Sequence, residues 1–145
     1  KLALHDGPVI PVGTTSVRSI ESIYWYGLRL MLNKEPLHAR FSVQQWEPYD
    51  YNHKSLPPAA VVFAFLAEQM KSEHLETLHG DTSLIIVPGY RFAITKGLIT
   101  NFHQPGSTLL LLVAALIGEN WKRAYQYALD NNYRFLSYGD ACLFI

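Results

Sequence analysis

The chain has 145 residues, 49% of them hydrophobic and 13% aromatic, which is enough to bury a core and too apolar for a disordered segment. Twelve basic and twelve acidic residues cancel, five of each before Tyr51 and seven of each after it, so neither half is a polycation and a nucleic acid could be met only by a local patch. The lone cysteine, Cys142, excludes an intramolecular disulfide and a cysteine zinc cluster and suits a reducing compartment, most simply the cytoplasm.

In chain order, His5 to Gly7 read as a loop, and Val9 to Gly13 as a short apolar strand ended by glycine. Pro11 within it must lie at a bulge or where its missing N–H is not needed. A helix follows from the TTS run to about Leu32. Its stripe is Val17, Ile20, Tyr24, Leu28 and Met31, with Arg18, Ser22 and Arg29 on other faces. Asn33 to Arg40 is polar and holds Pro36, Phe41 to Trp46 alternates as a strand, and Glu47 to Pro58 reads as a long loop with two tyrosines. Pro57-Pro58 then opens a helix from Ala59 to about His79, stopped by Gly80.

Leu84 to Val87 has the composition of a buried strand. Tyr90 to Thr95 alternates, and Lys96-Gly97 would reverse it into a strand from Leu98 to Phe102, placing Tyr90 and Arg91 across from Asn101 and Phe102. Pro105-Gly106 breaks the chain before Ser107 or Thr108 caps a helix, apolar all round its first turns and therefore expected at the centre of the fold. Gly118 ends it. Asn120 caps the next helix, Asn131-Asn132 close that one, and Tyr138-Gly139-Asp140 is a polar turn between two apolar strands. These elements make an α/β fold: a layered sheet with helices packed on its faces and mixed parallel and antiparallel strands, in one domain over 1–145.

Chemistry concentrates at two strand-to-helix junctions. One carries Thr14, Thr15, Ser16 and Arg18; the other carries Asn101, His103, Gln104 and Ser107. Free backbone N–H groups and a helix dipole favour a polar ligand at such places, although capping alone explains the same residue types. The six histidines share no metal-ligand spacing, so no metal is expected. The sequence has no GxSxG motif for a serine hydrolase. The chain opens on Lys1 rather than methionine, which suggests a fragment, a processed product or an incomplete chain. No secretory pattern opens it, and the apolar run Leu109 to Ile117 is too short to span a bilayer.

Four segments taken together carry a resemblance. VGTTSVRSIES from Val12, VPGYRF from Val87, LITNFHQPGSTLLLLVAALIG from Leu98 and AYQYALDNNYRFLSYGDACLF from Ala124 resemble, in that order, the C-terminal part of the S-adenosylmethionine:tRNA ribosyltransferase-isomerase family of queuosine synthesis. The resemblance covers about two thirds of the chain and implies a tRNA-modifying enzyme. Such an enzyme moves the ribosyl group of S-adenosylmethionine onto 7-aminomethyl-7-deazaguanine at the wobble position, giving epoxyqueuosine and releasing adenine and methionine.

The resemblance further implies S-adenosylmethionine as a substrate with no resident cofactor, tRNA as a partner through the full-length enzyme, and no membrane. It says nothing of oligomeric state. It puts His103 at the reacting centre as base or acid, with Thr14, Thr15, Ser16, Arg18, Tyr90, Arg91, Asn101, Ser107, Tyr138 and Asp140 binding substrate around it. The chain departs from the family between Asn33 and Ser83, at Lys96 and at Gly106, and it lacks the family's N-terminal half and inserted β-barrel. An enzyme part that binds substrate weakly and does not turn over is expected, the alternative being a non-catalytic paralogue that keeps the fold as a nucleotide-binding or interaction module.

Overall fold

A computed structural model describes residues 1–38, 40–51 and 56–145. The chain is mixed α/β with both parallel and antiparallel pairing, and among the described residues the strands form two two-stranded sheets. It divides into two compact units, Lys1–Gly7 with Ser19–Leu84, and Pro8–Arg18 with Ile85–Ile145. No helix among the described residues is long and apolar enough to cross a membrane.

Helix α1, Thr14–Asn33, begins in the second unit and continues into the first. It is the most enclosed helix. Beyond the expected stripe it buries Trp25, Tyr26 and Leu30, together with Glu21 and Ser22. Ser22, expected on an outer face, meets the Thr82 hydroxyl at 2.6 Å. The hydroxyls of Tyr24 and Tyr26 donate to the carbonyls of Pro57 and His38, so two aromatic side chains are buried at no polar cost.

In the first unit β1 (Arg40–Val43) pairs in parallel with β2 (His79–Thr82), and α2 (Ala59–Ser72) crosses between them. The long loop begins as a 3-10 turn, Glu47–Asp50, after which Tyr51 stacks on Trp25. Residues 52–55 of that loop, including His53, lie outside the described residues.

Helix α2 ends well before the expected His79. The Leu75 N–H reaches the Met70 carbonyl at 2.8 Å and the His74 N–H reaches that of Lys71 at 3.3 Å, while His74 takes a φ of 53°. This is a Schellman termination with histidine where glycine is usual. Gly80 has a different job. It sits in β2 opposite Phe41, whose ring leaves no room for a Cβ.

The second unit is built on β3, Leu98–Asn101, which pairs antiparallel with β4, Ala141–Phe144. On its other side the chain before α1 makes a parallel bridge to it, Val12 to Ile99, and another to the residues that lead into it, Val9 to Thr95. The Lys96 N–H donates to the Val9 carbonyl, the Ile99 N–H to that of Pro11, and the Gly13 N–H to that of Ile99. Pro11 therefore contributes only its carbonyl. The segment makes bridges rather than the expected buried strand; it is half-buried, and Val12 is 67% exposed.

Three other expectations are corrected in this unit. The hairpin between Tyr90–Thr95 and β3 does not form. Lys-Gly is a poor reversal, and Thr95 pairs with Val9 instead. Leu84 and Ile86 are buried, but 84–87 is not a strand; apolarity secured burial without deciding the ladder. Likewise Tyr133 to Leu136 forms no strand before β4.

Helix α3, Thr108–Ile117, buries Leu110, Leu112, Val113 and Ala114 but leaves Leu111 40% exposed, so it is less central than its composition suggested. Gly118 ends it with a φ of 57°. Helix α4, Asn120–Asp130, buries Tyr125 and Ala128 and starts from Glu119, with Asn120 as its first residue rather than its cap. It closes at Asn131-Asn132 as expected, Asn132 at a φ of 58° and the Tyr133 N–H on the Ala128 carbonyl.

Gly97 illustrates the difference between turning and crossing. A Cβ there would lie 2.7 Å from the Phe144 carbonyl oxygen, a backbone atom that cannot swing away. Replacing a glycine of ordinary φ by alanine usually stabilises by roughly 0.4–1 kcal/mol. Gly97→Ala is instead expected to destabilise by about 1–3 kcal/mol in urea unfolding. Unchanged or raised stability would show that the approach of β4 is not tight.

Candidate functional site

The two junctions open at the same edge of the second unit, because the bridges that join them are parallel. Gly13 is hydrogen-bonded to Ile99, and both chains leave that point in the same direction, one into α1 and the other through Asn101 to the elbow before α3. Carboxyl ends of neighbouring parallel strands are where open α/β sheets hold ligands.

At the first junction Thr14 is buried, while Thr15 and Ser16 are exposed. The Ser16 hydroxyl donates to the Val12 carbonyl at 2.7 Å, which uses it locally. Arg18 is half-buried, with a buried Nε that has no partner among the described residues.

The second junction is more completely built. Ser107 caps α3, its Oγ accepting from the Leu109 and Leu110 N–H groups at 3.2 and 3.3 Å, and Gly106 at a φ of 78° makes the turn before it. Phe102 is buried against Tyr125, Tyr133 and Phe135, and its carbonyl accepts from the Leu136 N–H. His103 follows, half-buried, with its backbone N–H donating to the Tyr125 hydroxyl oxygen at 3.0 Å. Its Nε2 lies 3.0 Å from Thr100 Oγ1. Burial holds its pKa below the ordinary histidine value and raises that of Tyr125, so the pair is neutral at pH 7.

The loop from Arg134 to Asp140 closes against the same end of β3. Asp140 accepts from the Arg134 N–H at 2.7 Å and from its guanidinium at 3.3 Å. The backbone bond, then the side-chain one, lowers the Asp140 pKa. The carboxylate is thus committed to holding a turn. Asn101 Nδ2 bridges the Gly139 and Asp140 carbonyls, each at 3.4 Å, tying this loop to β3. Cys142 donates from Sγ to the Thr100 carbonyl at 3.1 Å; burial pushes its thiol up to about 11, so it is no nucleophile at neutral pH. Beside the elbow a hollow of about 490 Å³ is lined by Gln104, Pro105, Trp121, Lys122, Tyr125, Gln126, Leu129 and Phe135.

Asn101, His103 and Asp140 lie around the end of β3, and Ser107 follows at the start of α3. Tyr90 is buried and edge-on to Phe92, whereas Arg91 is exposed and no hairpin carries it to His103. Tyr138 is 96% exposed. Thr100, Tyr125 and Arg134, which fix the elbow and its neighbouring loop, were not among the residues singled out from the sequence. Thr100 three residues before His103 on a strand was the available signal for the first; the other two depend on the tertiary fold.

A family model described as queuosine biosynthesis protein matches residues 2–144. The chain belongs to that family. Among relatives of this queuosine biosynthesis family member, S-adenosylmethionine:tRNA ribosyltransferase-isomerase of Xanthobacter autotrophicus is 57% identical over 67 residues, 46% of this chain and 18% of the relative. The protein of that name from Cereibacter sphaeroides is 44% identical over 91 residues, 62% of this chain and 26% of the relative. The crystal structure of S-adenosylmethionine tRNA ribosyltransferase from Thermotoga maritima superimposes with a TM-score of 0.57 at 29% identity, covering 96% of this chain and 34% of that one. The chain thus spans about a third of that structure, and its matches to these two curated relatives span about a fifth to a quarter of their length.

The neutral elbow has a measurable signature. The His103 ring should titrate below the ordinary value of about 6.5 when followed by NMR. Because its pKa is lowered in the folded state, the unfolded chain binds the extra proton. The stabilising contribution is complete above the unfolded pKa and is lost as pH falls through it towards the folded value. A midpoint at or above the ordinary value would contradict the burial of the ring. Ser107→Ala should independently cost about 1 kcal/mol in denaturant unfolding.

Proposed function

We propose that this chain is the C-terminal part of a longer enzyme that transfers and isomerises the ribosyl group of S-adenosylmethionine onto 7-aminomethyl-7-deazaguanine at the wobble position of a tRNA. The observation that carries this reading is the convergence of two motif-bearing junctions, at Gly13–Thr14 and at His103–Ser107, on one edge of β3. The names of the relatives supply the substrates. S-adenosylmethionine serves as a substrate, the enzyme needs no resident cofactor or metal, and the reaction takes place in the cytoplasm, which accords with a lone, half-buried free thiol.

In this reading the helix start at Thr14, Thr15 and Ser16, with Arg18 one turn in, binds a polar or anionic part of the substrate. His103 stands at the reacting centre, and Asn101 and Asp140 keep the flanking loop in place. Tyr90 supports the site from the core. Arg91 and Tyr138, both exposed, are the side chains available to reach the tRNA, while Ser107, whose Oγ takes the Leu109 and Leu110 N–H groups, fixes the start of α3 beside the ligand. The rest of the site belongs to the longer protein.

Adenine release from S-adenosylmethionine with precursor-containing tRNA tests the assignment. In the longer protein His103→Ala should lower turnover by about a hundredfold or more, and the 145-residue chain alone should release no adenine catalytically. Wild-type turnover by the His103→Ala variant would remove His103 from the reaction. Catalytic release by the chain alone would contradict its being only part of the site.

A further inference from the structure

His103 has two ring nitrogens, and the protein engages one of them. Nε2 is 3.0 Å from Thr100 Oγ1, whereas Nδ1 has no partner among the described residues. The ring is placed by its own backbone, through the N–H that donates to Tyr125, and by Phe102, which is buried immediately before it. Thr100 is itself 7% exposed, and its hydroxyl has no other partner among the described residues.

That last fact decides where the ring proton resides. A hydroxyl both donates and accepts, and a neutral imidazole carries one N–H and one bare nitrogen. If Nε2 held the proton it would donate to Oγ1, leaving the hydroxyl proton of a buried threonine with no acceptor, which is unfavourable. With the ring proton on Nδ1, the Thr100 hydroxyl donates to Nε2 and both groups are satisfied.

We propose that Thr100 is a positioning residue that fixes His103 as the Nδ1–H tautomer, so that the ring meets its ligand as a neutral hydrogen-bond donor and not as a base. The inference about the tautomer stands on the geometry alone; its catalytic consequence rests on the ribosyl-transfer reading above. The group facing Nδ1 is then an acceptor that gains negative charge. When the ribosyl carbon–nitrogen bond to adenine breaks, the bonding pair passes to the adenine ring. A fixed N–H beside a ring nitrogen stabilises that charge while keeping its own proton. The base that removes the substrate proton is a different group.

Two-dimensional NMR of the imidazole nitrogens tests the proposal on the chain itself. With the ring neutral, Nδ1 should show the shift of a protonated, pyrrole-like nitrogen and Nε2 that of a bare, pyridine-like one. Thr100→Ser should keep this pattern, and Thr100→Val should return the ring to the Nε2–H form that free imidazole prefers. A wild-type ring protonated at Nε2, or the same tautomer in wild type and Thr100→Val, would overturn the proposal. Activity in the longer protein separates the two layers. Thr100→Val should lower kcat by roughly tenfold to a hundredfold with KM little changed, and Thr100→Ser should restore it. Full activity in both Thr100→Val and His103→Ala, alongside the expected nitrogen shifts, would retain the tautomer and refute the catalytic reading.

Discussion

The double pairing of β3 is the constraint on which the second unit depends. One four-residue strand accepts an antiparallel partner along Leu98–Asn101 and a parallel bridge at Ile99 from the segment that leads into α1, with a second bridge at Thr95 just before it. Parallel pairing aims both chains at one edge, and each then turns into a helix. A hairpin in place of those bridges would have sent the incoming chain the opposite way and separated the two junctions. Gly97 and Pro11 fit this arrangement for opposite reasons: the first leaves room for a backbone carbonyl, and the second lends a carbonyl where no N–H is called for.

Around the end of that strand the protein spends its polar groups on holding still. Ser107 caps, Asn101 bridges two carbonyls, and Asp140 is clasped by Arg134. Two hydrogen bonds, to Thr100 and Tyr125, tie His103 in place. Rotamers held this way need little reorganisation when charge develops nearby, which is the basis of electrostatic preorganisation. Asn101, His103 and Ser107 are neutral groups at pH 7, so what they lend a ligand comes from directed dipoles, with Arg18 a cation of the neighbouring junction.

Local chemistry was legible where a residue type has one mechanical use. Ser107 as cap, Gly106 as turn, Gly118 and Asn132 as helix ends and the passive placement of Pro11 all follow from their own side chains. What the sequence concealed depended on partners. His74 took the left-handed position that glycine usually fills, which ended α2 early and freed His79–Thr82 to become a strand. Leu84 and Ile86 declared their burial, not their pairing. The enclosure of α1 rests on Trp25 and Tyr26, which fall outside a single apolar stripe. At the site, Asn101 and His103 stood out by type and position, but Tyr125 and Arg134 acquire their roles only when α4 and the final loop return to β3. Arg91 was drawn to the elbow by a hairpin that does not exist.

The central claim is that the two junctions form one ligand-binding edge. Adding S-adenosylmethionine to the 15N-labelled chain and following backbone amides tests it directly, because amide shifts register even weak binding. Coupled perturbation of Thr14–Ser16 and of His103–Leu109 at a common dissociation constant is the predicted result. Perturbation of only one junction, two different binding constants, or no shift at either would contradict the account.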